Sequence, residues 1–252
     1  MRKFFQVLFV AAVLLTSSLV AAQFDDGGYF EAEGVIYESD QGKNAMRRAA
    51  ILDAYRLLSE EVGDLYVTSD STVKNLRELD DEINARVEKC LRGAKLVSAK
   101  FESDGSFHAL VRLPKNGPQS IAGAVLKPDI VVEDFPKPKV VVLRSEVNYT
   151  GLVIDCRGMN LSEAISPVIK SSSGTEIYAY KNIGYQNAVN NGMVEYSASL
   201  DSPRAGSTPL VVKAVKISDK CDVVVSDADA DKILNANQST NFLINCAVVL
   251  VR

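Results

Sequence analysis

The pattern of apolar and polar positions is most regular between Lys43 and Gly63, where it follows the period of an α-helix. Apolar residues recur at steps of three or four, and the stripe consists of Met46, Ala50, Ile51, Ala54, Leu57, Leu58 and Val62. Its alanines allow a close approach to a sheet, and charged side chains cover the opposite side. We therefore predict an amphipathic helix that packs on a sheet and ends at Gly63, where a glycine would stop it.

Four strands and a second helix are predicted around this central helix. Alternating or β-branched runs indicate the strands, and an amphipathic run that opens with three acids indicates the helix. These elements are the strands Tyr29–Tyr37, Leu65–Lys74, Ala94–Glu102 and Phe107–Leu113 and the helix Asp80–Gly93. The last two strands are joined by a hairpin signal, Ser103–Ser106. The order β-α-β-α-β-β predicts an α+β domain over residues 23–116, with the helices on one face of the sheet.

The remaining chain is predicted to form a Pro-rich linker and a β-rich domain. Prolines and polar residues concentrate in residues 117–139, where Ser120–Leu126 could form one or two helical turns. Residues 140–252 predict a mostly antiparallel β-rich domain with one short helix at Asp227–Asn235. Its predicted strands are Val140–Leu143, Gly151–Cys156, Val168–Lys170, Glu176–Tyr180, Gly192–Leu200, Leu210–Ile217, Asp222–Val225 and Phe242–Val251.

Residues 1–22 have the pattern of a cleavable signal peptide. Arg2 and Lys3 precede the apolar run Phe4–Leu15, and Val20 and Ala22 suit the positions before a cleavage site. The alternative is an uncleaved anchor, but the run is short for a span of about 20 apolar residues. Because no cysteine stands near the cleavage site and no second apolar run follows, we expect a mature protein without a lipid or a transmembrane segment, in the periplasm or at the outer membrane.

A set of short motifs in residues 23–116 resembles a known family. The motifs are Glu33-Gly34, Ala45, Arg48–Arg56, Leu58, Val62-Gly63, Ser71–Val73, Gly93-Ala94, Asp104-Gly105 and Val111-Arg112. In this order and spacing they resemble the domain of the bacterial envelope lipoproteins called LPP-twenty, which is shared with the N-terminal domain of flagellar assembly protein T. The resemblance implies an exported, non-catalytic envelope protein and, through the flagellar member, a scaffold part around the basal body.

Composition argues against several classes of partner and cofactor. The chain has a net charge of −4, one histidine and no tryptophan. A nucleic-acid-binding face is usually basic, so we expect no nucleic-acid partner. We also expect no cofactor and no metal site, because a single histidine and the absence of C-x-x-C spacing leave few ligands.

Two patterns are candidates for a metal site or a disulfide. The run Asp227–Asp231 contains D-x-D-x-D, the opening of a calcium loop, but Lys232 and Gln238 stand where such a loop needs glycine and glutamate. A helix N-terminus with acids in its first turn is the favoured interpretation. Cys156 and Cys246 each close an apolar run and form a candidate disulfide, with buried free thiols as the alternative.

No catalytic site is predicted from the titratable residues. His108 is the single histidine and is interpreted as a partly exposed strand residue. Asp155 and Arg157 follow a strand at a sharp turn, where such a pair more often holds a loop than binds a ligand. Cys90 lies on the second helix and is expected to be packed rather than reactive.

These observations predict a non-enzymatic envelope protein that acts by protein–protein association, with envelope or flagellar proteins as partners. One alternative is a periplasmic protein that binds a small ligand or a polysaccharide, which a deep pocket lined by tyrosines of the second domain would favour. The candidates for that pocket are Tyr178, Tyr180, Tyr185 and Tyr196. Another is a hydrolase, which would need Asp and Ser side chains converging on His108.

Overall fold

A computed structural model describes residues 28–37, 42–141 and 147–252 of the chain. The predicted signal peptide, residues 1–22, therefore lies outside the described residues. Within the described ranges, no helix combines the length and the hydropathy that crossing a bilayer requires.

The first part of the chain is a sheet with helices, as predicted, but the sheet has three antiparallel strands, because residues 65–74 form a separate hairpin and the start of a helix instead of a fourth strand. Its elements are β1 (Tyr29–Ile36), α1 (Lys43–Asp64), β2 (Tyr66–Thr68), β3 (Ser71–Thr72), α2 (Val73–Leu79), α3 (Asp81–Arg92), β4 (Lys95–Phe101), β5 (Phe107–Pro114) and α4 (Ile121–Val125). The sheet order is β1-β5-β4, and β2 and β3 form a separate two-stranded hairpin.

Helix α1 lies across β1 and β5 and makes little contact with β4. It buries a stripe at steps of four, which consists of Met46, Ala50, Ala54, Leu58 and Val62. Close packing requires Gly34 in β1, because a Cβ there would lie 2.0 Å from the carbonyl oxygen of Ala50 and 2.5 Å from the backbone nitrogen of Ala54. The helix passes Gly63 and ends at Asp64, one residue later than predicted.

Helix α3 confirms the predicted second helix almost residue for residue. The Asp80 side chain caps it by accepting hydrogen bonds from the backbone nitrogens of Glu82 and Ile83, and the helix ends before Gly93. Helix α2 was not predicted, because its first two residues were included in the predicted strand Leu65–Lys74 and residues 75–79 were assigned to no element. It begins after Thr72, whose side chain forms a capping box with Asn75.

The second part contains more strands than helices, and the predicted α+β class with a β-rich second region is confirmed. Its elements are β6 (Gly151–Asp155), β7 (Ile169–Ser171), β8 (Glu176–Tyr178), α5 (Tyr180–Ile183), α6 (Tyr185–Asn191), β9 (Glu195–Ser197), β10 (Pro209–Lys213), β11 (Lys216–Ser218), β12 (Asp222–Val225), α7 (Asp227–Thr240) and β13 (Val248–Val251).

The prediction that these strands are mostly antiparallel is wrong. In the sheet β10-β6-β13-β9 every pair is parallel, and in the sheet β11-β12-β7-β8 the central pair is parallel. All four residues of β12 and of β13 are buried. Strands buried on both faces are typical of parallel sheets, whose connections place other chain segments over both faces.

Several predicted strands are shorter or absent. Val140 and Val141 are not in a strand, and the rest of Val140–Leu143 lies outside the described residues. Phe242–Val251 is a strand only over β13, because Asn241 ends α7 in the left-handed conformation and the chain then forms a turn. The predicted strand Leu210–Ile217 is divided between β10 and β11, and α5 and α6 were not predicted.

The predicted linker is tied to the second part by hydrogen bonds. After α4, residues 127–141, here called the strap, run without regular secondary structure. The Tyr180 hydroxyl donates to the Lys127 carbonyl at 2.6 Å, and the backbone nitrogen of Glu133 donates to the Lys181 carbonyl at 2.8 Å. At the far end, the backbone nitrogen of Lys139 donates to Asp231 at 2.7 Å. The predicted division into domains at residues 116 and 140 stays a prediction.

The two parts of the chain also share contacts and a core. The backbone nitrogen of Ile165 donates to the carbonyl of Tyr66 in β2, and that of Ser166 donates to Val67, each at 2.9 Å. Buried apolar residues of both parts belong to one continuous cluster, which extends from Phe30 to Leu250.

Candidate functional site

A cleft of about 740 Å³ lies where α3, α4 and one end of the sheet meet. Its size falls within the range of about 300–1,000 Å³ that is usual for small-ligand sites. The sheet contributes the first residue of β1, the start of β4 and the end of β5, and Tyr185 of α6 contributes from the second part.

Basic side chains dominate the charged lining of this cleft. Two come from α3 and two from the sheet, and they are Arg86, Lys89, Lys95 and Arg112. No carboxylate lines the cleft in the part of the chain that the structure describes. Since the whole chain has a net charge of −4, this local excess of positive charge runs against the overall balance.

The local fold explains why these residues come together. Arg86 and Lys89 are three residues apart on α3 and therefore share one helix face. Lys95 and Arg112 are direct partners in the β4–β5 ladder, so their side chains are neighbours on one face of the sheet. The Arg112 guanidinium lies 5.5 Å from the centre of the Tyr29 ring.

The two arginines have acidic neighbours that do not line the cleft. Arg112 pairs with Glu31 across the β1–β5 ladder, and Arg86 lies 3.9 Å from Glu82 on its own helix. The Nε atom of Arg86 is buried and has no hydrogen-bond partner among the described residues. An unpaired buried donor is costly, so this N–H group can donate to an acceptor that a ligand brings.

The tyrosines that were candidates for a pocket are separated by the fold. Tyr185 lines the cleft, and its hydroxyl donates to the carbonyl of Gly123 at 3.1 Å. The Tyr178 hydroxyl donates to the Met193 carbonyl at 2.5 Å inside the second part. Tyr180 bonds the strap, and the Tyr196 hydroxyl bonds the backbone of residue 164. A deep pocket lined by all these tyrosines is therefore not present among the described residues.

Cys90 also lines the cleft, and its thiol donates to the carbonyl of Ser120 at 3.4 Å. Partial burial raises the pKa of the Cys90 thiol, and the nearby Lys89 opposes this shift. A thiol with a raised pKa carries little thiolate at neutral pH, which agrees with the expectation of a packed residue.

His108 belongs to a row of polar side chains that the sequence analysis missed. Its Nδ1 atom lies 3.0 Å from Glu33 Oε1, and its Nε2 atom lies 2.9 Å from the Ser106 hydroxyl. That hydroxyl lies 2.5 Å from Asp104 Oδ1, which also accepts from the Ser106 backbone nitrogen at 2.9 Å. The alternation Ser106-x-His108 in the hairpin was the signal that could have revealed the row.

This row has the composition of a nucleophile–base system but the bonding of a turn. A carboxylate only accepts, so the Ser106 hydroxyl donates to Asp104 and cannot at the same time donate to His108. Ser106 is also 1% exposed, which leaves a substrate little access to its oxygen. The arrangement therefore fits stabilisation of the β4–β5 hairpin.

The variant Ser106→Ala tests this interpretation. We expect it to lower the free energy of unfolding by about 1 kcal/mol, because two hydrogen bonds are lost and Asp104 keeps the backbone bond. Hydrolysis of p-nitrophenyl acetate should be the same with and without the hydroxyl. Ser103→Ala, an exposed change in the same turn, is the control. A hydrolysis rate that falls only in the Ser106 variant would instead identify a nucleophile.

The candidate disulfide between Cys156 and Cys246 does not form in the structure, where all four cysteines are free thiols. The backbone nitrogen of Cys156 donates to Val251 at the end of β13. Cys246 precedes β13, and Leu152 pairs with Val248 in the parallel ladder. The two cysteines are therefore at opposite ends of the strands, roughly 20 Å apart along them. A disulfide requires Cα atoms within about 7 Å.

A thiol titration tests whether this disulfide forms. Burial raises the pKa of Cys156 and of Cys221 to about 12, so both should be protonated and unreactive in the native protein at mildly alkaline pH. When the chain is denatured without reductant, all four of its thiols should react with a thiol-specific disulfide reagent. If only two thiols react, the chain contains a disulfide.

The acidic run at the start of α7 stabilises the helix and its surroundings. The Ser226 hydroxyl caps the helix, and the Asp227 carboxylate accepts from the backbone nitrogen of Ser173 at 3.0 Å. Hydrogen bonds from Ser173 lower the pKa of Asp227. Asp231 accepts from Lys139 of the strap. No group of three metal-ligating side chains occurs within the described ranges.

Asp155 and Arg157 form an exposed ion pair with two bonds. Arg157 Nε donates to Oδ1 at 2.9 Å and Arg157 Nη2 donates to Oδ2 at 2.7 Å. These bonds lower the pKa of Asp155 to about 2. The same carboxylate accepts from the backbone nitrogen of Arg157 at 3.1 Å, so the pair holds the turn after β6.

Comparison with known families gives a match for each part of the chain. Residues 30–114 match the LPP20 lipoprotein family. Residues 151–252 match the family model of the second domain of Treponema pallidum Tp0624. No curated protein matches the chain. The predicted resemblance of the first part to the LPP20 family is confirmed, and residues 30–114 are called the LPP20 domain below.

The LPP20 match also corrects one expectation and leaves another without support. A lipoprotein family implies an exported envelope protein with a membrane anchor, so the expectation that the protein is not lipidated is wrong. That expectation rested on the absence of a cysteine near the one predicted cleavage site. Neither match concerns flagellar assembly protein T, so the flagellar resemblance is not shown.

Proposed function

We propose that this exported envelope protein acts without catalysis, by association with another envelope protein through strand β4. The observation that supports the proposal is the free edge that β4 forms in the sheet of the LPP20 domain. No residue of β4 is buried, although it is a seven-residue strand. Exposed edge strands present unpaired backbone groups that an extended segment of a partner can bind.

The side chains of β4 support association because three of its five exposed residues are apolar. Since α1 packs mainly on β1 and β5, the sheet reaches beyond the helix at β4. Leu96, Val97 and Phe101 are each between 40% and 47% exposed. Burial of such side chains would supply the free energy that backbone hydrogen bonds alone do not.

The edge also has features that restrict what can bind. A bulge between Leu96 and Ser98 interrupts the regular ladder, and Lys95 and Lys100 place charge along the strand. Bulges and edge lysines oppose indiscriminate pairing between sheets. They favour a partner segment that is short and carries acidic residues.

Photocrosslinking in cells tests the proposal. A photoreactive amino acid at position 96 or 100 should give an adduct with an envelope protein, and the attachment should map to an extended segment of it. The control is position 52 on α1, where Leu52 is 70% exposed and equally apolar. Adducts of similar yield from position 52, or none from either β4 position, would contradict the proposal.

A charge variant sharpens this test. Leu96→Lys should abolish the adduct formed from position 100, because a lysine opposes burial of the edge. Leu52→Lys makes the same change outside β4 and should leave that adduct intact. Circular dichroism of both variants confirms that the fold is retained.

The alternative function, binding of a small ligand, is favoured by a different observation. The basic cleft has the size of a ligand site and includes Tyr185 from the second part of the chain. It is compatible with association through β4, because a protein can carry both kinds of site.

A further inference from the structure

We propose that the basic cleft binds a small amphiphile with an anionic carboxylate or phosphate head group. The inference does not depend on association through β4. It rests on the charge, the apolar lining and the unsatisfied donor of the cleft.

Charge selects the head group. α3 contributes Arg86 and Lys89 to one wall, and the sheet contributes Lys95 and Arg112 to another. Neither Lys89 nor Lys95 forms an ion pair with any described residue, so both ammonium groups can bind an incoming anion. Arginine and lysine together suit carboxylates and phosphates, because charge-assisted hydrogen bonds are shorter and stronger than neutral ones.

The donor on Arg86 gives a second, independent reason. Its Nε atom is buried without a hydrogen-bond partner among the described residues. Such a donor is stabilised by any acceptor that reaches it, and a head-group oxygen is an acceptor that fits the surrounding charge.

The apolar lining indicates that the ligand has a hydrocarbon part as well as a charged group. Val97, Pro114 and Pro118 give the cleft apolar surface that is at least partly exposed, and the buried residues Leu113 and Ala124 also belong to its lining. A free phosphate would leave this surface in contact with water, whereas a short hydrocarbon chain would bury it. A cleft with apolar walls and a few polar groups is the usual form of a small-ligand site.

Calorimetric titration of the full exported chain tests the proposal with four probes. Decanoate and decyl phosphate, used below micelle formation, carry the two head groups on one tail. Decanol keeps the tail without the charge, and inorganic phosphate keeps the charge without the tail. We expect at least one of the anionic amphiphiles to bind, more tightly than decanol and phosphate, and more weakly as NaCl rises. The ratio between decanoate and decyl phosphate identifies the preferred head group.

Charge variants test whether the amphiphile binds in the cleft. The double variant Lys89→Gln and Lys95→Gln should lower the affinity for the amphiphile by about tenfold or more, since two charge-assisted contacts are lost. Lys137→Gln with Lys216→Gln removes the same charge from exposed positions outside the cleft and should change the affinity less than about twofold. Ligand should also slow maleimide labelling of Cys90, which lines the cleft.

Four results would overturn the proposal. They are equal affinity for decanol, equal affinity for inorganic phosphate, an unchanged affinity in the Lys89 and Lys95 double variant, and no binding of either anionic amphiphile. None of these results bears on crosslinking from β4 positions 96 and 100, so the two proposals fail separately.

Discussion

Gly34→Ala should destabilise the LPP20 domain by about 3 kcal/mol or more, because the added methyl group meets backbone rather than a mobile side chain. An ideal Cβ at Gly34 would lie 2.0 Å from the Ala50 carbonyl oxygen and 2.5 Å from the Ala54 nitrogen. Both atoms belong to α1, so helix and sheet must separate to admit it. Urea unfolding followed by circular dichroism measures the loss.

Gly63→Ala is the matched control for this change. It adds the same methyl group to α1, but there the nearest atom is the Lys74 Cβ at 3.9 Å. Alanine favours a helix over glycine by up to about 1 kcal/mol, so this variant should be as stable as the parent or more so. Equal stabilities for the two variants would show that α1 does not lie against β1 as closely as described.

Asp222→Ala should lower the free energy of unfolding by about 2 kcal/mol or more, because it removes a buried carboxylate that accepts hydrogen bonds from the Val168 nitrogen and from Lys170. Asp222 is 1% exposed, and its carboxylate accepts from Lys170 Nζ at 2.8 Å and from the Val168 nitrogen at 3.0 Å. The hydrogen bond from Lys170 to this carboxylate raises the pKa of Lys170. The same unfolding measurement applies.

Two further variants test how much of this loss comes from the charge and the burial of Asp222. Asp222→Asn keeps an acceptor for the Val168 nitrogen but loses the charge, so its stability should fall between those of the parent and the alanine variant. Glu176→Ala breaks an exposed pair with Lys181 and should have a far smaller effect. If the Asp222 and Glu176 variants lose equal stability, the Asp222 carboxylate is not buried.

Most elements of the first part of the fold could be predicted from the sequence, because the local signals there agree with one another. The stripe of α1, the acids before α3 and the hairpin turn at residues 103–106 each predict one structure, and each is found. The exception is α2, where Thr72 begins a helix inside a run rich in β-forming residues. A capping box is a weaker signal than the composition around it.

In the second part the local signals do not specify strand direction. β13 has four buried residues, so it lacks the alternation that would indicate one solvated face. The apolar run that begins at Phe242 continues into β13, but Asn241 in the left-handed conformation bends the first half into a turn. Cys246 was therefore placed on a strand, where it would have been near Cys156.

The cleft could not be predicted because its residues are distributed over the chain. Arg86 and Lys95 look like ordinary surface charges in the sequence, and Tyr185 is about ninety residues further on. Only the packing of α3 beside the sheet end brings them together. The row Glu33, Ser106 and His108 was missed for the same reason, since Glu33 reaches it by strand pairing.

The strap has a consequence for how the chain could be divided. Its ends are bound to the second part at Tyr180 and Asp231, and the hairpin residues Tyr66 and Val67 bond the second part independently. The peptide bonds of the strap are thus not what keeps the two parts together. A single cut between these anchors should leave two fragments associated, and the same fragments produced as separate chains should recombine into the intact fold.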